Sequence, residues 1–593
     1  MPSPGPRPIF ALLGLVLLLE IAYLVHSPRQ GYVTVDLGAV YLQTMDLAAG
    51  GAGELPIGPL LRPVLKEYFP WRLPGLPTGP IQHWGSFEGS WFVEKDGRFL
   101  VVYPFTFAAV SAMGYRLMGE AGLFVLPVLS ALIVIWATFL LSVRLGATHP
   151  MLPAVTVGLA SPLLLYAVLV WGHAPAVATA SLAFLALSQT PDADGRLAVR
   201  AALSAGVCLG ATAAFRNEGF LLLAVTASSI LVLGPQALRR RLPLVAVGAL
   251  LAVLPAAVHN FSEFGSMSDP TQASRALSMV AAAPAVTDRL GWASARVSLV
   301  LRTLAESLLG SENLIPVSQG VFILLLTLPV LPFAVTLNRA RASSGFRLAL
   351  FVSAMAGLLY LPLAVAVRPQ LVTGLFLASP FLSLSVAYVL SGVPIREAGL
   401  ARLFAVIATL FVLGCSVRGS PGWQWGGRYY LPALPLLAIF ASLAWEGFAR
   451  LPGFARAARI AGLMWIGAGI AMSAIAWRDL KSEQAFRQDV EQSTVAANRS
   501  DAVAFDHWWF AWENAPLARD RELFYVDDAA CLGRLLDYLA STEAHRVTLI
   551  TRAPAAALSE YVTIGRPRGW TISKQQDITL PNGTGWHSML FTR

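Results

Sequence analysis

Apolar segments of about 20 residues, separated by short polar loops, make up most of the chain. A segment of this length crosses the roughly 30 Å hydrocarbon core of a bilayer as a helix. We therefore expect an all-α polytopic membrane bundle with about thirteen transmembrane helices. The pattern predicts these spans at residues 9–26, 121–143, 151–170, 173–189, 198–214, 219–235, 242–258, 316–337, 348–366, 371–391, 402–417, 429–447 and 460–477.

The charges in the loops predict how this bundle is oriented. One set of short loops holds fourteen arginines, whereas the opposite set holds only Arg216, Arg368, Arg418 and Arg428. Arginine-rich loops face the cytoplasm, so the N-terminus is predicted inside and the C-terminus outside. Three long segments then lie outside, namely a first loop (27–120), a second loop (259–315) and a tail (478–593). These limits divide the chain into a membrane domain, 1–477, and an extracytoplasmic domain, 478–593.

The long outer segments carry signals of their own. Gly89 to Phe99 is predicted to form two strands joined by a turn at Lys95-Asp96-Gly97. The apolar stretch from Phe99 to Leu117 is expected to lie along the membrane surface as an amphipathic helix, because one more crossing would place the arginine-rich loops outside. In the tail, a strand at 546–551 and a helix at 532–540 indicate a small α/β domain.

Composition agrees with a membrane protein. Charged residues make up 13% of the 593 residues, which is about half of the roughly 25% found in soluble domains. The net charge of +9 comes from arginines scattered over short loops, so we exclude nucleic-acid binding. The three cysteines have neither disulfide nor zinc spacing. We expect a multi-pass protein of the inner (plasma) membrane, of bacterial origin.

Two arginines on the outer face are candidate ligand-binding residues, because the insertion bias works against them. Arg216 lies in Phe215-Arg216-Asn217-Glu218-Gly219, where a pair with Glu218 would also simply satisfy the turn. Arg428 lies in Trp425-Gly426-Gly427-Arg428-Tyr429, where the aromatic residues alone would form an interfacial belt. Glycines permit close backbone approach, and an arginine beside a helix start suits a phosphate.

Two histidines lie at further outer helix junctions. His173, in Trp171-Gly172-His173-Ala174-Pro175, is either functional or a hydrated interfacial residue. His259 and Asn260 precede Phe264-Gly265-Ser266, which indicates a helix end with a glycine stop.

The first loop contains the candidate catalytic residue. Asp36 follows the first span and is either a helix N-cap for 37–48 or a functional carboxylate at the outer mouth of the bundle. The predicted turn aims Arg98 and Tyr103-Pro104 back toward the bundle. The other polar candidates of this loop are Asp46, Glu54, His83, Glu88, Glu94 and Asp96.

Taken together, these stretches resemble the GT-C membrane glycosyltransferases, in the branch of protein mannosyltransferases and lipid A aminoarabinose transferases. Two features depart from that family. Leu37 stands where many members have a second acidic residue, so Asp46 or Glu88 would have to supply it, and the Lys-Pro-Pro element of the aminoarabinose branch is absent. The matching stretches are Asp36 after the first span, Asp96-Gly97-Arg98-Phe99 with Tyr103-Pro104, Phe215 to Gly219, Asn260 with Phe264-Gly265-Ser266 and, most specifically, Trp425 to Pro435.

The resemblance implies an inverting transfer of a sugar from a polyprenyl-phosphate donor to a hydroxyl of a lipid, glycan or protein acceptor. Asp36 would take the acceptor proton, and Arg428, Arg98 and Arg216 would stabilise the departing lipid phosphate. The resemblance implies no organic cofactor and leaves a divalent cation open, since some relatives use one. The supporting residues would be His173, Tyr429, Tyr103, Glu218, Asp46 and Glu88.

Three other functions stay open beside this one. A lipid-linked glycan ligase or polymerase would also need outer arginines and a histidine, and the context of Asp36 disfavours it. A lipid or glycan flippase would place charges near the bilayer midplane, whereas most predicted spans lack them and Glu20 lies near one end of its span. A structural scaffold would tolerate substitution of Asp36 and Arg428.

Overall fold

A computed structural model of the chain describes most of its helical part and most of its tail. Within the described residues the chain forms two compact units. The first unit comprises Met1–Tyr23, Phe124–Ala257 and Ala283–Arg478, and the second comprises Leu24–Leu123, Val258–Ala282 and Asp479–Arg593. The first loop (27–120) therefore lies almost entirely in the same compact unit as the tail. The described residues are 7–27, 35–55, 57–60, 92–95, 98–101, 103–189, 196–265, 374–390, 399–417, 425–450, 455–496, 498–519, 521–552, 555–579 and 585–593, with isolated residues between 294 and 372.

The secondary structure is mainly helical. The α-helices are α1 (Arg7–His26), α2 (Val35–Ala49), α3 (Phe105–Met118), α4 (Gly122–Arg144), α5 (Met151–Leu159), α6 (Leu163–Tyr166), α7 (His173–Leu187), α8 (Arg196–Phe215), α9 (Glu218–Leu233), α10 (Gln236–Arg239), α11 (Leu242–Phe264), α12 (Leu375–Ala378), α13 (Leu384–Leu390), α14 (Leu400–Ser416), α15 (Leu434–Ala449), α16 (Ala455–Asp489), α17 (Trp508–Glu513), α18 (Ala529–Ala540) and α19 (Ala555–Gly565). The strands are β1 (Phe92–Lys95), β2 (Arg98–Val101), β3 (Ala502–Phe505), β4 (Glu522–Tyr525), β5 (Arg546–Thr551), β6 (Thr571–Thr579) and β7 (Gly585–Thr592).

Six helical stretches among the described residues are long and apolar enough to cross a bilayer. A helix satisfies all of its backbone hydrogen bonds internally, as the hydrocarbon core requires. With several such helices, the chain is a multi-pass membrane protein. The predicted spans at 316–337 and 348–366 lie almost entirely outside the described residues. The six stretches are Arg7–His26, Phe105–Arg144, Ala198–Phe215, Leu242–Phe264, Arg428–Ala449 and Ala458–Gln492.

Two predicted spans are interrupted helices. The run at 151–170 forms α5 and α6, which are separated by Ala160-Ser161-Pro162. Proline lacks an N–H and clashes with the preceding turn, which accounts for the break. The run at 371–391 is likewise divided, because α12 ends at Ala378 and a 3-10 turn, Pro380–Ser383, precedes α13.

The helix predicted from Phe99 to Leu117 corresponds to α3 only from Phe105 onward, because Phe99 to Val101 belong to β2. The helix α3 has 14 residues and is about 21 Å long at 1.5 Å per residue, which is too short to cross a bilayer alone. Phe107 and Ala108 are buried, whereas Met113 and Leu117 are exposed although they are apolar. Such an apolar exposed face suits contact with lipid.

Glycines bring the backbones of α8 and α11 together. A Cβ atom at Gly206 would lie 2.1 Å from the carbonyl oxygen of Val245, and one at Gly210 would lie 2.3 Å from that of Ala249. Gly248 on α11 meets the carbonyl of Leu203 in the same way, at 2.4 Å. Small residues at helix spacing permit this close approach in membranes. We name Gly206, Gly210 and Gly248 the glycine seam.

The tail contains a five-stranded sheet in the order β4-β3-β5-β7-β6. β4, β3 and β5 are parallel, and β7 is antiparallel to both β5 and β6. All four residues of β3 are buried, as expected for a central parallel strand covered on both faces. β5 occupies the strand predicted at 546–551, and α18 covers the helix predicted at 532–540.

The first loop and the tail pack together within the second unit. β1 and β2 form the predicted antiparallel hairpin, in which Lys95 pairs with Arg98. α2 packs against α3, against α17 and against the 3-10 turn Ala515–Arg519 of the tail. Both backbone polar groups of Leu60 bond to the tail. Its N–H donates to Glu522 at 3.2 Å, and its carbonyl accepts from the Tyr538 hydroxyl at 2.6 Å.

Candidate functional site

Three helix junctions of the first unit bring together a group of polar side chains. His173 is the first residue of α7, Arg216 lies between α8 and α9, and Arg428 opens a 3-10 turn, Arg428–Ala433, ahead of α15. Their side chains, which are buried, meet around one indole ring. We name this group the arginine cluster, and its members are Trp171, His173, Arg216, Glu218, Arg428 and Tyr429.

The backbone ahead of Arg428 explains why two glycines precede it. Gly426 and Gly427 have φ angles of +76° and +58°, which glycine adopts at little cost. A Cβ atom at Gly426 would lie 2.1 Å from Cγ of Pro162. The close approach expected from these glycines is therefore to Pro162, in the break between α5 and α6. The Gly426 N–H also donates to the carbonyl of Val372 at 2.6 Å.

Arg216 and Glu218 form the ion pair that the sequence allowed as an alternative to ligand binding. Nε and Nη2 of Arg216 donate to the two carboxylate oxygens of Glu218 at 3.2 and 3.0 Å. Both side chains are at least nine-tenths buried. A two-point pair of this kind compensates much of the cost of burying its charges.

Arg428 lies between two aromatic rings. Its Nη2 donates to the hydroxyl of Tyr429 at 2.8 Å, and its Cζ lies 4.8 Å from the centre of that ring. The same Cζ lies 5.2 Å from the Trp171 ring, and Cζ of Arg216 lies 5.7 Å from it. Trp171 therefore contacts both guanidinium groups at cation–π distance.

Two buried donors or acceptors in the cluster stand out. Trp171 is 1% exposed and His173 is 2% exposed. Nε1 of Trp171 and Nε2 of His173 have no hydrogen-bond partner among the residues that the structure describes. Buried polar atoms are nearly always hydrogen-bonded. The two arginines and Glu218 give the cluster a charge of +1 without His173, so its chemistry suits an anion with several oxygens.

Asp36 lies in the second unit, in the first turn of α2. Its carboxylate accepts a hydrogen bond from the Tyr103 hydroxyl, and the positive end of the helix favours its charge. Gln43, further along α2, donates to the Tyr103 carbonyl at 3.3 Å. The structure thus brings together Asp36 and Tyr103, both of which the sequence singled out.

Asp46 is held by the backbone that follows α2. Its Oδ2 accepts the N–H groups of Gly53 and Glu54, each at 2.8 Å. Asp46 and Asp36 are ten residues apart on one helix, or about 15 Å at 1.5 Å per residue. This separation favours a structural role for Asp46 over that of a second acidic group beside Asp36.

Arg98 is paired with two carboxylates. Its Nε donates to Glu54 and its Nη2 to Glu263 on α11, each at 2.7 Å. Partial burial lowers the pKa of Arg98, but the hydrogen bonds and charges of Glu263 and Glu54 outweigh this effect and raise it. A phosphate would have to compete with both carboxylates for this guanidinium. The pairing favours a role in joining β2, the segment after α2 and the end of α11.

The remaining candidates have these positions. His259 stacks on Phe105, with 3.7 Å between ring centres. α11 ends at Phe264, and the following Gly265 has a φ of +70°, as predicted for a glycine stop. Glu88, His83 and Asp96 lie outside the described residues. Among the residues that are described, no three histidine, cysteine, aspartate or glutamate side chains converge to hold a metal ion.

Sequence reasoning did not select Trp171, Glu54 or Glu263 for these contacts. Trp171 stands two residues before His173, so the signal was present, but an outer tryptophan is usually an interfacial anchor. Glu263 is 165 residues from Arg98 in the chain, and no spacing rule connects the two.

Comparison of the sequence with protein-family profiles and with curated proteins gave no match. The apo structure of ArnT from Cupriavidus metallidurans aligns with 98% of this chain and 97% of its own, at a TM-score of 0.50 and 12% sequence identity. The chain has the GT-C fold.

Two further solved structures were similar at a lower score. A second structure of the same ArnT, bound to undecaprenyl phosphate, aligns with 99% of this chain and 98% of its own, at a TM-score of 0.49 and 12% identity. The apo oligosaccharyltransferase of Archaeoglobus fulgidus aligns with 91% of this chain and 69% of its own, at a TM-score of 0.44 and 11% identity.

Proposed function

We propose that this protein is an inverting glycosyltransferase that moves a sugar from a polyprenyl-phosphate donor to an acceptor hydroxyl at the extracytoplasmic face. The observation that carries the proposal is the arginine cluster. It combines two buried arginines with two buried polar atoms, on Trp171 and His173, that lack partners among the described residues. A membrane-anchored phosphate supplies both the negative charge and the oxygens that this group suits.

The leaving group is the lipid phosphate. As the bond between the anomeric carbon and the phosphate oxygen breaks, its electron pair passes to the phosphate, which gains charge. Preorganised cations stabilise such charge where it develops. Arg428 takes this role first, because Arg216 already shares its charge with Glu218. Tyr429 and Trp171 orient Arg428 through the contacts described above.

Asp36 is the general base. It takes the proton of the acceptor hydroxyl while the oxygen of that hydroxyl bonds to the anomeric carbon. Attack opposite to the leaving phosphate inverts the configuration of the sugar. Tyr103 donates to the carboxylate of Asp36 and so fixes its orientation before the acceptor arrives.

The test is sugar transfer by the purified protein in lipid nanodiscs, with a panel of polyprenyl-phosphate sugars and the Asp36→Asn and Asp46→Asn variants. General acid–base groups contribute about 10²- to 10⁴-fold to rate, so Asp36→Asn is expected to lose activity by that factor. Asp46→Asn is the matched control on the same helix and keeps most activity. Equal turnover by wild type and a folded Asp36→Asn protein would remove Asp36 from the mechanism.

The phosphate site is tested separately, by binding of undecaprenyl phosphate. Arg428→Gln is expected to weaken binding, because it removes a charge and keeps a hydrogen-bonding side chain. Unchanged affinity in a folded Arg428→Gln protein would rule out the cluster as the phosphate site.

A further inference from the structure

The strand order of the tail creates a topological switch point. β3 connects through α17 to β4 on one side, and β4 connects through α18 to β5 on the other side of β3. Parallel crossovers are right-handed, so these two connections lie on opposite faces of the sheet. α18 and α19 pack against each other, so α19 lies on the same face of the sheet as α18. The loop after β5, which leads to α19, and the loop after β3, which leads to α17, therefore run to opposite faces. Open α/β sheets bind ligands in the crevice where such loops diverge.

Asp506 follows β3 directly and therefore lies at this switch point. Its Oδ2 accepts the N–H of Arg552 at 3.0 Å and the hydroxyl of Thr551, both at the end of β5. Its Oδ1 lies 2.7 Å from Nδ1 of His507. The Asp506 side chain is 7% exposed, whereas that of His507 is 33% exposed. A buried carboxylate thus orients a partly exposed imidazole.

Two helices add further polar groups to the same place. Asp528 caps α18, where its carboxylate accepts the N–H of Cys531 at 2.7 Å, and it is exposed. Tyr561 on α19 is 5% exposed. Burial, the charge of nearby Asp506 and the charge of Asp528 raise its pKa to about 12, although a hydrogen bond with Thr551 opposes this. Tyr561 therefore stays a neutral phenol beside the carboxylates.

We propose that this switch-point crevice, formed by Asp506, His507, Asp528, Thr551, Arg552 and Tyr561, binds the carbohydrate portion of the acceptor. Each hydroxyl of a sugar is both a donor and an acceptor. The crevice offers both kinds of partner in one place, since the imidazole of His507 and the phenol of Tyr561 lie near the carboxylates of Asp506 and Asp528. A simple anion or a metal ion would call for groups of one kind.

The crevice is connected to the candidate base within the second unit. His507 immediately precedes α17, and α17 packs against α2, which carries Asp36. A ligand that orders the loop after β3 therefore acts on a helix that supports Asp36. That this glycan belongs to the acceptor rests on the proposed function, whereas the binding of a glycan at this crevice does not.

The test is hydrogen–deuterium exchange of the full-length protein in lipid nanodiscs, with and without maltotriose, cellotriose, chitotriose or mannotriose. At least one trisaccharide is expected to protect peptides covering 503–509, 526–532 and 549–552. His507→Ala is expected to weaken its binding about tenfold, the loss for one hydrogen bond to the ligand. The matched control is His545→Ala, an exposed histidine at the opposite end of β5.

The outcomes separate this inference from the proposed function. The inference is overturned if none of these glycans protects the three segments. It is also overturned if His507→Ala and His545→Ala change the protection equally. Undecaprenyl phosphate binding is measured on the same samples. If the wild-type protein binds the lipid but no glycan protects the three segments, the crevice proposal alone is refuted. If a glycan protects them but the lipid does not bind, the phosphate site is refuted and the crevice proposal stands.

Discussion

At the scale of single residues, the hydrogen bonds that a polar group makes within the fold favour either a structural role or the proposed ligand-binding role. Arg216 has a two-point partner in Glu218, and Asp46 accepts two backbone N–H groups. The hydrogen bonds of these two side chains are therefore made within the fold. Trp171 and His173 present buried nitrogen atoms that no described residue satisfies. A buried polar atom without a hydrogen-bond partner destabilises the fold, and a ligand that bonds to it removes that cost.

Trp171→Phe tests this distinction. Phenylalanine keeps one aromatic ring beside both guanidinium groups, and it removes the N–H together with one of the two fused rings of the indole. We expect the variant to fold and to bind undecaprenyl phosphate up to about tenfold more weakly, which is the range of one hydrogen bond. Lipid binding and thermal unfolding are the measurements.

Trp477→Phe is the control for that substitution, because Nε1 of Trp477 already donates to the Leu164 carbonyl at 3.1 Å. It is expected to cost stability and to leave lipid affinity unchanged. If Trp171→Phe binds as wild type does, the Trp171 N–H is not a ligand group.

The sequence singled out most residues of the arginine cluster, because each stands at a helix junction and arginines are rare in that set of short loops. It could not predict which cations are neutralised within the fold. Arg98 and Arg428 both follow glycines and precede aromatic residues. Only the fold shows that Glu54 and Glu263 pair with Arg98, since long-range partners leave no local signal.

At the scale of elements, apolar run length predicted where helices occur but not where they break. Ser161-Pro162 lies inside a run of helical length, and Pro162 is the residue on which Gly426 packs. The break between α5 and α6 therefore makes room for the turn that carries Arg428. In the tail, the strand at 546–551 was predictable, whereas the order β4-β3-β5-β7-β6 depends on long-range pairing.

Gly426→Ala tests the packing of that turn. A left-handed φ costs a non-glycine residue about 1–2 kcal/mol, and the contact with Pro162 adds about 1–3 kcal/mol of overpacking. We expect the free energy of unfolding to fall and lipid binding to weaken, because the turn positions Arg428. Thermal unfolding and lipid binding are measured together.

Gly467→Ala on α16 is the matched control, since a Cβ atom there meets nothing within 4 Å. Alanine in a helix is favoured over glycine by up to about 1 kcal/mol, so this variant is expected to be as stable as wild type or more so. Equal stability of the two variants would show that the Gly426 turn is not constrained.

At the scale of the whole molecule, the candidate groups are distributed over two units. The arginine cluster belongs to the first unit, whereas Asp36, Tyr103 and the switch-point crevice belong to the second. Hydropathy separates membrane from extramembrane sequence, so it predicted a boundary at 477. It cannot show that the first loop joins the tail, because that grouping depends on packing of α2 against α17.

The stability of the second unit is expected to depend on pH through Glu513. Burial raises the pKa of this carboxyl from 4.5 to about 7, although Arg487 opposes the shift. The folded state therefore holds a proton that the unfolded state releases between these values. Stability from this group is present below about pH 4.5 and is lost as the pH rises through about 7.

Hydrogen exchange of tail peptides between pH 5 and 8, corrected for intrinsic rates, measures this effect. Peptides from β3 and α17 are expected to lose protection as the pH rises, and Glu513→Gln is expected to flatten the dependence. A wild-type profile that matches that of Glu513→Gln would show that Glu513 does not titrate in this range.

The glycine seam between α8 and α11 limits how this sequence can diverge. Each of its three glycines faces the backbone of the other helix at a distance that leaves no room for a single methyl group. A backbone cannot move aside as the end of a long side chain can, so even alanine forces the helices apart. Val207 and Leu250 lie close by in sequence and are exposed, so any apolar residue can replace them. Mutational freedom on these two helices therefore alternates between neighbouring positions, and hydropathy does not distinguish the fixed ones from the free ones.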